Sequence, residues 1–197
     1  MVTNACGGWN VDDCEGTQYC PPRCPRFVGK HGTAFLIRSL PASEDPPDEL
    51  VEMYREYPQE HRSMGLPPTT ERRIRDWLTT LHGRGTNLLA WDGDRVVGHT
   101  GFAPHDGDEP EFLVYVDPEY HGRGLGTELT RHAIAHAAAA GHRALRLNVD
   151  SDNRTAIAVY RKLGFDIVDR SGVELEMRLP LDGPTAVESQ LVPAARA

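Results

Sequence analysis

The feature that most constrains this chain is a junction just past its middle. Residues 111–116 (EFLVYV) form a strong strand signal that Asp117-Pro118 stops. The chain then passes through His121-Gly122-Arg123-Gly124-Leu125-Gly126-Thr127 into a helical stretch reaching about Ala140. Alternating glycines let a backbone adopt positive φ and approach a ligand closely. The helix they open turns unpaired N–H groups and a positive dipole end toward the loop, which suits a phosphate. The stretch lacks the terminal Gly-Lys-Ser/Thr of a P-loop, and its glycines lack the G-x-x-G step of the dinucleotide fingerprint. Such a turn also occurs with a purely structural role, so the loop needs a second witness.

The flanking sequence makes this one strand and one helix among several. Thr33–Leu40 reads as a strand, and Pro41–Pro47 as a breaker cluster. Asp48–Tyr57 carries Leu50, Val51, Met53 and Tyr54 at helical spacing. Thr70–His82 places Ile74, Trp77, Leu78 and Leu81 on one helical face, with Gly83 and Gly85 as its stop. Asn87–Trp91 and Arg95–Ala103 flank an Asp-Gly-Asp turn and read as a hairpin. Beyond the central helix come a strand at Arg143–Val149, a helix at Arg154–Leu163 closed by Gly164, and a last hairpin, Phe165–Asp169 with Val173–Leu179. The order β-α-α-β-β-β-α-β-α-β-β predicts an α/β (α+β) fold with a mixed central sheet and flanking helices. Three segments follow from composition: a Cys-, Gly- and Pro-rich extension at 1–31, a main domain at 32–180 and a loose tail at 181–197.

Charge and hydropathy exclude several functions. The chain has 29 acidic and 21 basic residues, net −8, where a nucleic-acid binder shows a basic surplus. The basic residues are nearly all arginine; Lys30 and Lys162 are the two lysines. No apolar run approaches the roughly 18 residues of a membrane span. Residues 1–10 carry neither a basic nor an apolar leader region, so the sequence predicts a cytoplasmic protein without membrane association.

The second witness lies on the last helix. Asn153, Ala156 and Tyr160 fall at i, i+3 and i+7, which puts Asn153 and Tyr160 on one face. A simpler reading makes Asn153 a helix N-cap and Tyr160 a core aromatic. With the loop, however, residues 111–165 resemble the GNAT superfamily of acetyl-CoA-dependent N-acetyltransferases. The family loop reads Arg or Gln, two residues, Gly, one residue, then Gly or Ala. Here His121 stands at the Arg/Gln position, and Gly124 and Gly126 complete the match.

The resemblance implies a fold with two splayed central strands and a transfer of acetyl from acetyl-CoA to a primary amine, on a protein or a small molecule, by direct attack. It implies that backbone amides of Gly122, Arg123, Gly124, Leu125, Gly126 and Thr127 hold the pyrophosphate. Val114, Tyr115 and Val116 then line the pantetheine arm, Asn153 contacts it, and Tyr160 protonates the departing thiolate. A primary amine of pKa about 10.4 must lose a proton before attack. In the branch resembling ribosomal-protein alanine N-acetyltransferases the base is a Glu at the position of Asn148, which has no basic side chain. Glu111, on a strand face with Leu113 and Tyr115, is the candidate base, with Asp150 or a water as alternatives. Many members of the superfamily dimerise, so a homodimer is among the assemblies the resemblance allows. The rival reading is a non-catalytic acyl-CoA sensor, or a module that recruits a partner.

All four cysteines, Cys6, Cys14, Cys20 and Cys24, fall in the first 24 residues. Four thiolates can close a structural zinc site, although the spacing is not the paired C-x2-C form. Disulfides, free thiols and an iron–sulfur cluster are the competing readings. His132 and His136, at i and i+4, read as a solvated helix face.

Overall fold

The computed structural model describes residues 13–59, 62, 66–103 and 108–196. Among these residues eight strands form one sheet in the order β1-β2-β3-β4-β5-β6-β8-β7. They are β1 (Arg26–Val28), β2 (Ala34–Ser39), β3 (Thr86–Asp92), β4 (Arg95–Ala103), β5 (Glu111–Val116), β6 (Ala144–Asp150), β7 (Asp166–Ser171) and β8 (Glu174–Pro180). Among the described residues five α-helices accompany them: α1 (Asp48–Arg55), α2 (Glu71–Arg84), α3 (Leu125–Ala139), α4 (Arg154–Lys162) and α5 (Pro184–Gln190). Every strand pairing is antiparallel except β5 with β6. The α/β mixed sheet read from the sequence is therefore the architecture found.

Alternation along the strands sorts the core into two layers. Leu88 and Ala90 of β3 pack with Leu125 and Leu129 of α3. Leu89, between them, packs with Leu50 and Tyr54 of α1 and with Ile74 and Leu78 of α2. A third cluster joins Ala133, Ile134 and Ala137 of α3 to Tyr160 of α4 and Leu163 just past its end, over Leu145, Leu147 and Val149 of β6. Burying an apolar side chain of this size contributes about 1.5–3 kcal/mol, so these stripes hold the helices on the sheet.

The two edges of β5 differ. On one edge all six residues pair with β4, from Ala103↔Glu111 to Gly98↔Val116. On the other, β5 meets β6 in register only at Glu111↔Arg146, beside the Arg146 N–H bond to the Pro110 carbonyl. Beyond that point the two strands part, as the expected splay requires.

Three local expectations are corrected. The second helix runs through Gly83 to Arg84 and stops at Gly85, where a Cβ would collide with the Phe102 carbonyl. Strand β1 lies within what reads as an irregular extension; it pairs with β2, and Phe27 stacks on Phe35 with centroids 6.0 Å apart. The tail is not loose. Helix α5 starts at Pro184, a residue preorganised for a first helical turn, and buries Ala186 and Ser189. Further along, the Ala194 N–H donates to the Cys14 carbonyl at 3.1 Å.

Candidate active site

The parting of β5 and β6 opens a cleft of about 370 Å³, within the range of small-molecule sites. Leu113, Val114 and Tyr115 of β5 line one wall, and Leu147, Asn148, Val149 and Asp150 of β6 the other. Asn153 and Tyr160 enter from α4, Trp77 and Leu81 from α2, and Tyr57 from the segment after α1. The Thr100 hydroxyl of β4 holds the Leu113 carbonyl at 2.8 Å, steadying the strand on its paired edge.

Tyr160 is 9% exposed, edge-on to Phe112 with centroids 6.1 Å apart. Burial, then the neighbouring Tyr57, pushes its phenol well above the ordinary tyrosine range. Burial therefore favours its neutral O–H form. Tyr115 is pushed up the same way, by burial first and then by Tyr57 and Tyr160. Three phenols thus face one cleft. Asn153 does what the simpler sequence reading expected: its Oδ1 accepts from the Ala156 N–H at 3.1 Å and caps α4. It lines the cleft as well.

Glu111 sits exposed at the neck, where the strands begin to part, and accepts from Asn148 Nδ2 at 3.1 Å. Asn148, at the position where the resembling branch has its base, is therefore a hydrogen-bond donor to a carboxylate here. Behind the aromatic wall is a buried polar chain that the sequence did not reveal. Asn87 Nδ2 points to the carbonyls of Leu81 and Gly85 at 3.4 and 3.5 Å. Its Oδ1 therefore faces His99 Nε2 at 2.9 Å, which donates, and His99 Nδ1 accepts from the Tyr54 hydroxyl at 2.6 Å. Burial, reinforced by His82, lowers His99 to about 3, so it is neutral. Tyr54 in turn stands edge-on to Trp77 and Tyr115. The Arg62 guanidinium fixes the turn below by donating to the carbonyls of Tyr54, Tyr57, Pro67 and Pro68.

Past the end of β5 lies the glycine loop. Gly122 and Gly124 have φ of 74° and 89°, and Gly124 is the left-handed residue from which α3 starts. A side chain at either position would be strained by roughly 1–2 kcal/mol. Gly126 is already helical, and a Cβ there would make ordinary contact with Val116 at 3.6 Å. His121, the departure from the family loop, folds back and donates from Nε2 to the Val116 carbonyl at 3.0 Å, tying loop to strand.

Residues 48–165 match the Acetyltransferase (GNAT) family. This chain belongs to that family. Among curated relatives, a mycothiol acetyltransferase of Corynebacterium efficiens is 38% identical over 84 residues, 42% of this chain and 28% of the relative. The chain spans less than half the length of the mycothiol acetyltransferases it matches. Among solved structures, the GNAT domain of S. lividans PAT superposes with a TM-score of 0.68 at 18% identity, covering 79% of this chain and 95% of the other. A protein from Salmonella typhimurium, solved with its cofactor acetyl-CoA, superposes with a TM-score of 0.59 at 22% identity, covering 75% of this chain and 94% of the other.

The GNAT core accounts for the cleft and the loop but not for the cysteines. Cys14, Cys20 and Cys24 are not joined to one another by disulfides, and Cys6 lies outside the described residues. Among the described residues no three Cys, His, Asp or Glu side chains gather as metal ligands. A zinc site of four thiolates needs Cys14, Cys20 and Cys24 together, and the fold does not gather them. His132 and His136 are also corrected. His132 is 1% exposed, and burial lowers both rings, His136 to about 4. The sequence hid this because α3 is packed on more than one side, with α5 and residue 23 covering the face that an open helix would give to solvent. Among the described residues, no helix is long and apolar enough to cross a membrane.

Proposed function

We propose that this protein transfers an acetyl group from acetyl-CoA to a primary amine by direct attack. The observation that carries this is the open edge of β5, which leads from the glycine loop to Tyr160. In this reading the amides from Gly122 to Thr127 receive the pyrophosphate on the positive end of α3. The pantetheine arm takes the place that a fully paired β6 would occupy, along Val114, Tyr115 and Val116 and past Asn153. The thioester carbonyl then lies against the strand, whose N–H groups can stabilise a developing oxyanion.

The amine nitrogen bonds to the thioester carbon, and the resulting tetrahedral intermediate collapses with loss of the C–S bond. The thiolate takes the Tyr160 proton. The proton shed by the amine leaves through Glu111, and solvent restores the tyrosine. Glu111 and Asp150 give the cleft negative charge, while Tyr57, Trp77 and Tyr115 give it aromatic faces that attract a cation. Both favour an acceptor that arrives as an ammonium group on an apolar body.

The test is calorimetry with acetyl-CoA, followed by thiol release with a panel of small and protein amines. Micromolar binding with turnover of at least one amine is the expected result. Tight binding with no turnover across the panel would support a sensor instead. Absence of binding would remove the cofactor reading.

A further inference from the structure

We propose that Lys30, one of the chain's two lysines, is a ligand of the coenzyme A pyrophosphate. This rests on the acetyl-CoA reading above and adds to the glycine loop a cation from a distant part of the sequence. Lys30 stands in the tip that joins β1 to β2. The tip is closed by Gly29 N–H to Thr33 O at 2.8 Å and by Gly32 N–H to Gly29 O at 2.9 Å. It is docked on the loop by Lys30 N–H to Arg123 O at 3.0 Å. Gly29 permits that approach, since a Cβ there would stand 3.1 Å from the Arg123 carbonyl and 3.0 Å from the Phe35 ring.

The side chain then runs along the start of α3. Its Cγ and Cε are 3.9 and 4.0 Å from the point where a Gly124 Cβ would lie, and the residue is exposed. The ammonium, one bond beyond Cε, is therefore carried beside the left-handed glycine that opens the helix.

The loop's own basic side chains are engaged by neighbouring groups of the loop and strand. The Arg123 guanidinium lies 4.5 Å above the Tyr120 ring and donates to the Glu119 carbonyl at 2.9 Å. His121 is bonded to the Val116 carbonyl. Glu128, the acid in the first turn of α3, would oppose an anion, but Arg23 neutralises it at 2.6 Å. The helix start thus presents its amides and the Lys30 ammonium to an incoming diphosphate. The N-terminal segment thereby gains a part in donor binding.

Calorimetry on the full chain separates the outcomes. The donors are acetyl-CoA, acetyl-dephospho-CoA, which keeps the pyrophosphate, and S-acetylpantetheine, which has no phosphate. Lys30→Met keeps the stem over Gly124 and removes the charge. It should weaken both pyrophosphate donors by roughly five- to tenfold at low salt, with a smaller loss at high salt. Its loss with S-acetylpantetheine should stay below twofold, and Lys30→Arg should remain within twofold of wild type on all three. Equal losses on all three donors would make the tip a structural prop and overturn the proposal. A loss confined to acetyl-CoA would move the contact to the 3′-phosphate and overturn the pyrophosphate assignment. Wild-type affinity in Lys30→Met would overturn the role of Lys30 while leaving the acetyl-CoA reading intact. Failure of the wild type to bind acetyl-CoA would overturn that reading and this inference together.

Discussion

The cleft between β5 and β6 and the clasp around Glu128 put buried polar chemistry to opposite uses. In the clasp, Arg23 and Glu128, each with a side chain 4% exposed, join through two hydrogen bonds of 2.6 and 2.9 Å. Arg23 directs a third donor to the Ser189 carbonyl of α5 at 2.8 Å. The residue before the sheet, the middle helix and the last helix are thus fastened at one point. In the cleft, a strand edge is left without a partner strand and three phenols are kept neutral around an open volume. A polar group matched inside the protein closes a surface, whereas an edge left unmatched asks for a ligand.

The comparison predicts that changes in the cleft cost activity and changes in the clasp cost stability. The largest effect is expected at Tyr160. Tyr160→Phe keeps the ring against Phe112 and removes the proton, so kcat should fall by about 10²–10⁴-fold, with acetyl-CoA affinity held. Steady-state kinetics with a verified acceptor check this; unchanged turnover would make the tyrosine core packing, like any residue of the clasp.

Arg23→Met should be next. It removes both short hydrogen bonds from the buried Glu128 carboxylate and leaves Arg131 at 3.9 Å as its remaining cation; breaking a buried pair in this way typically costs about 3–5 kcal/mol. Arg23→Met combined with Glu128→Leu should recover most of that. Urea unfolding measures both, and a loss below about 1 kcal/mol in the single variant would mean that the clasp is wet rather than sealed.

Glu111→Gln tests whether the cleft's neck moves protons. A fall of about a hundredfold in kcat/KM at neutral pH, the low end for general bases, should come with loss of the acidic limb of the pH–rate profile. A limb that stays where it was would pass the role to Asp150 or a water.

The last effect is shared by both regions and grows with distance from neutral pH. His99 behind the cleft and His136 on α3 have folded values of about 3 and about 4, below the ordinary histidine value of 6.5. The unfolded chain therefore binds more protons below pH 6.5. Stability is fully present above that value and is lost as pH falls toward 4, by about 1.4 kcal/mol per pH unit for each ring. Unfolding free energies at pH 7, 6 and 5 should show the slope, and His136→Gln should reduce it. A flat profile would mean that these rings are hydrated.

Much of the fold was legible because periodicity reports which face of an element is covered. Leu50, Val51, Met53 and Tyr54 marked α1, and the strand at 111–116 was found with the bounds the sequence suggested. The failures have physical causes. Strand β1 is three residues long, too short for an alternation to register. Helix α5 was masked by a polar surface, and only Gly183-Pro184 signalled its start. The burial of His132 and the chain Tyr54–His99–Asn87 join residues far apart in sequence, where no spacing rule applies.

By itself the sequence determined the order of elements from β2 to β8, the glycine loop at the start of α3 and the pairing of Asn153 with Tyr160 on one helical face. Each follows from local backbone conformation and the 3.6-residue period, which neighbouring residues set among themselves. Only the tertiary structure decided that β6 leaves β5 after one register pair, that Asn148 donates to Glu111 across the neck of the cleft, and that Cys14, Cys20 and Cys24 do not gather as a ligand set. It also decided that residues 23–30 reach α3, through Arg23 in the core and Lys30 at the loop. Those outcomes depend on how close distant segments come once the layers pack, and on the cost of leaving a charge or a strand edge uncovered there. Neither quantity exists until the chain has closed on itself.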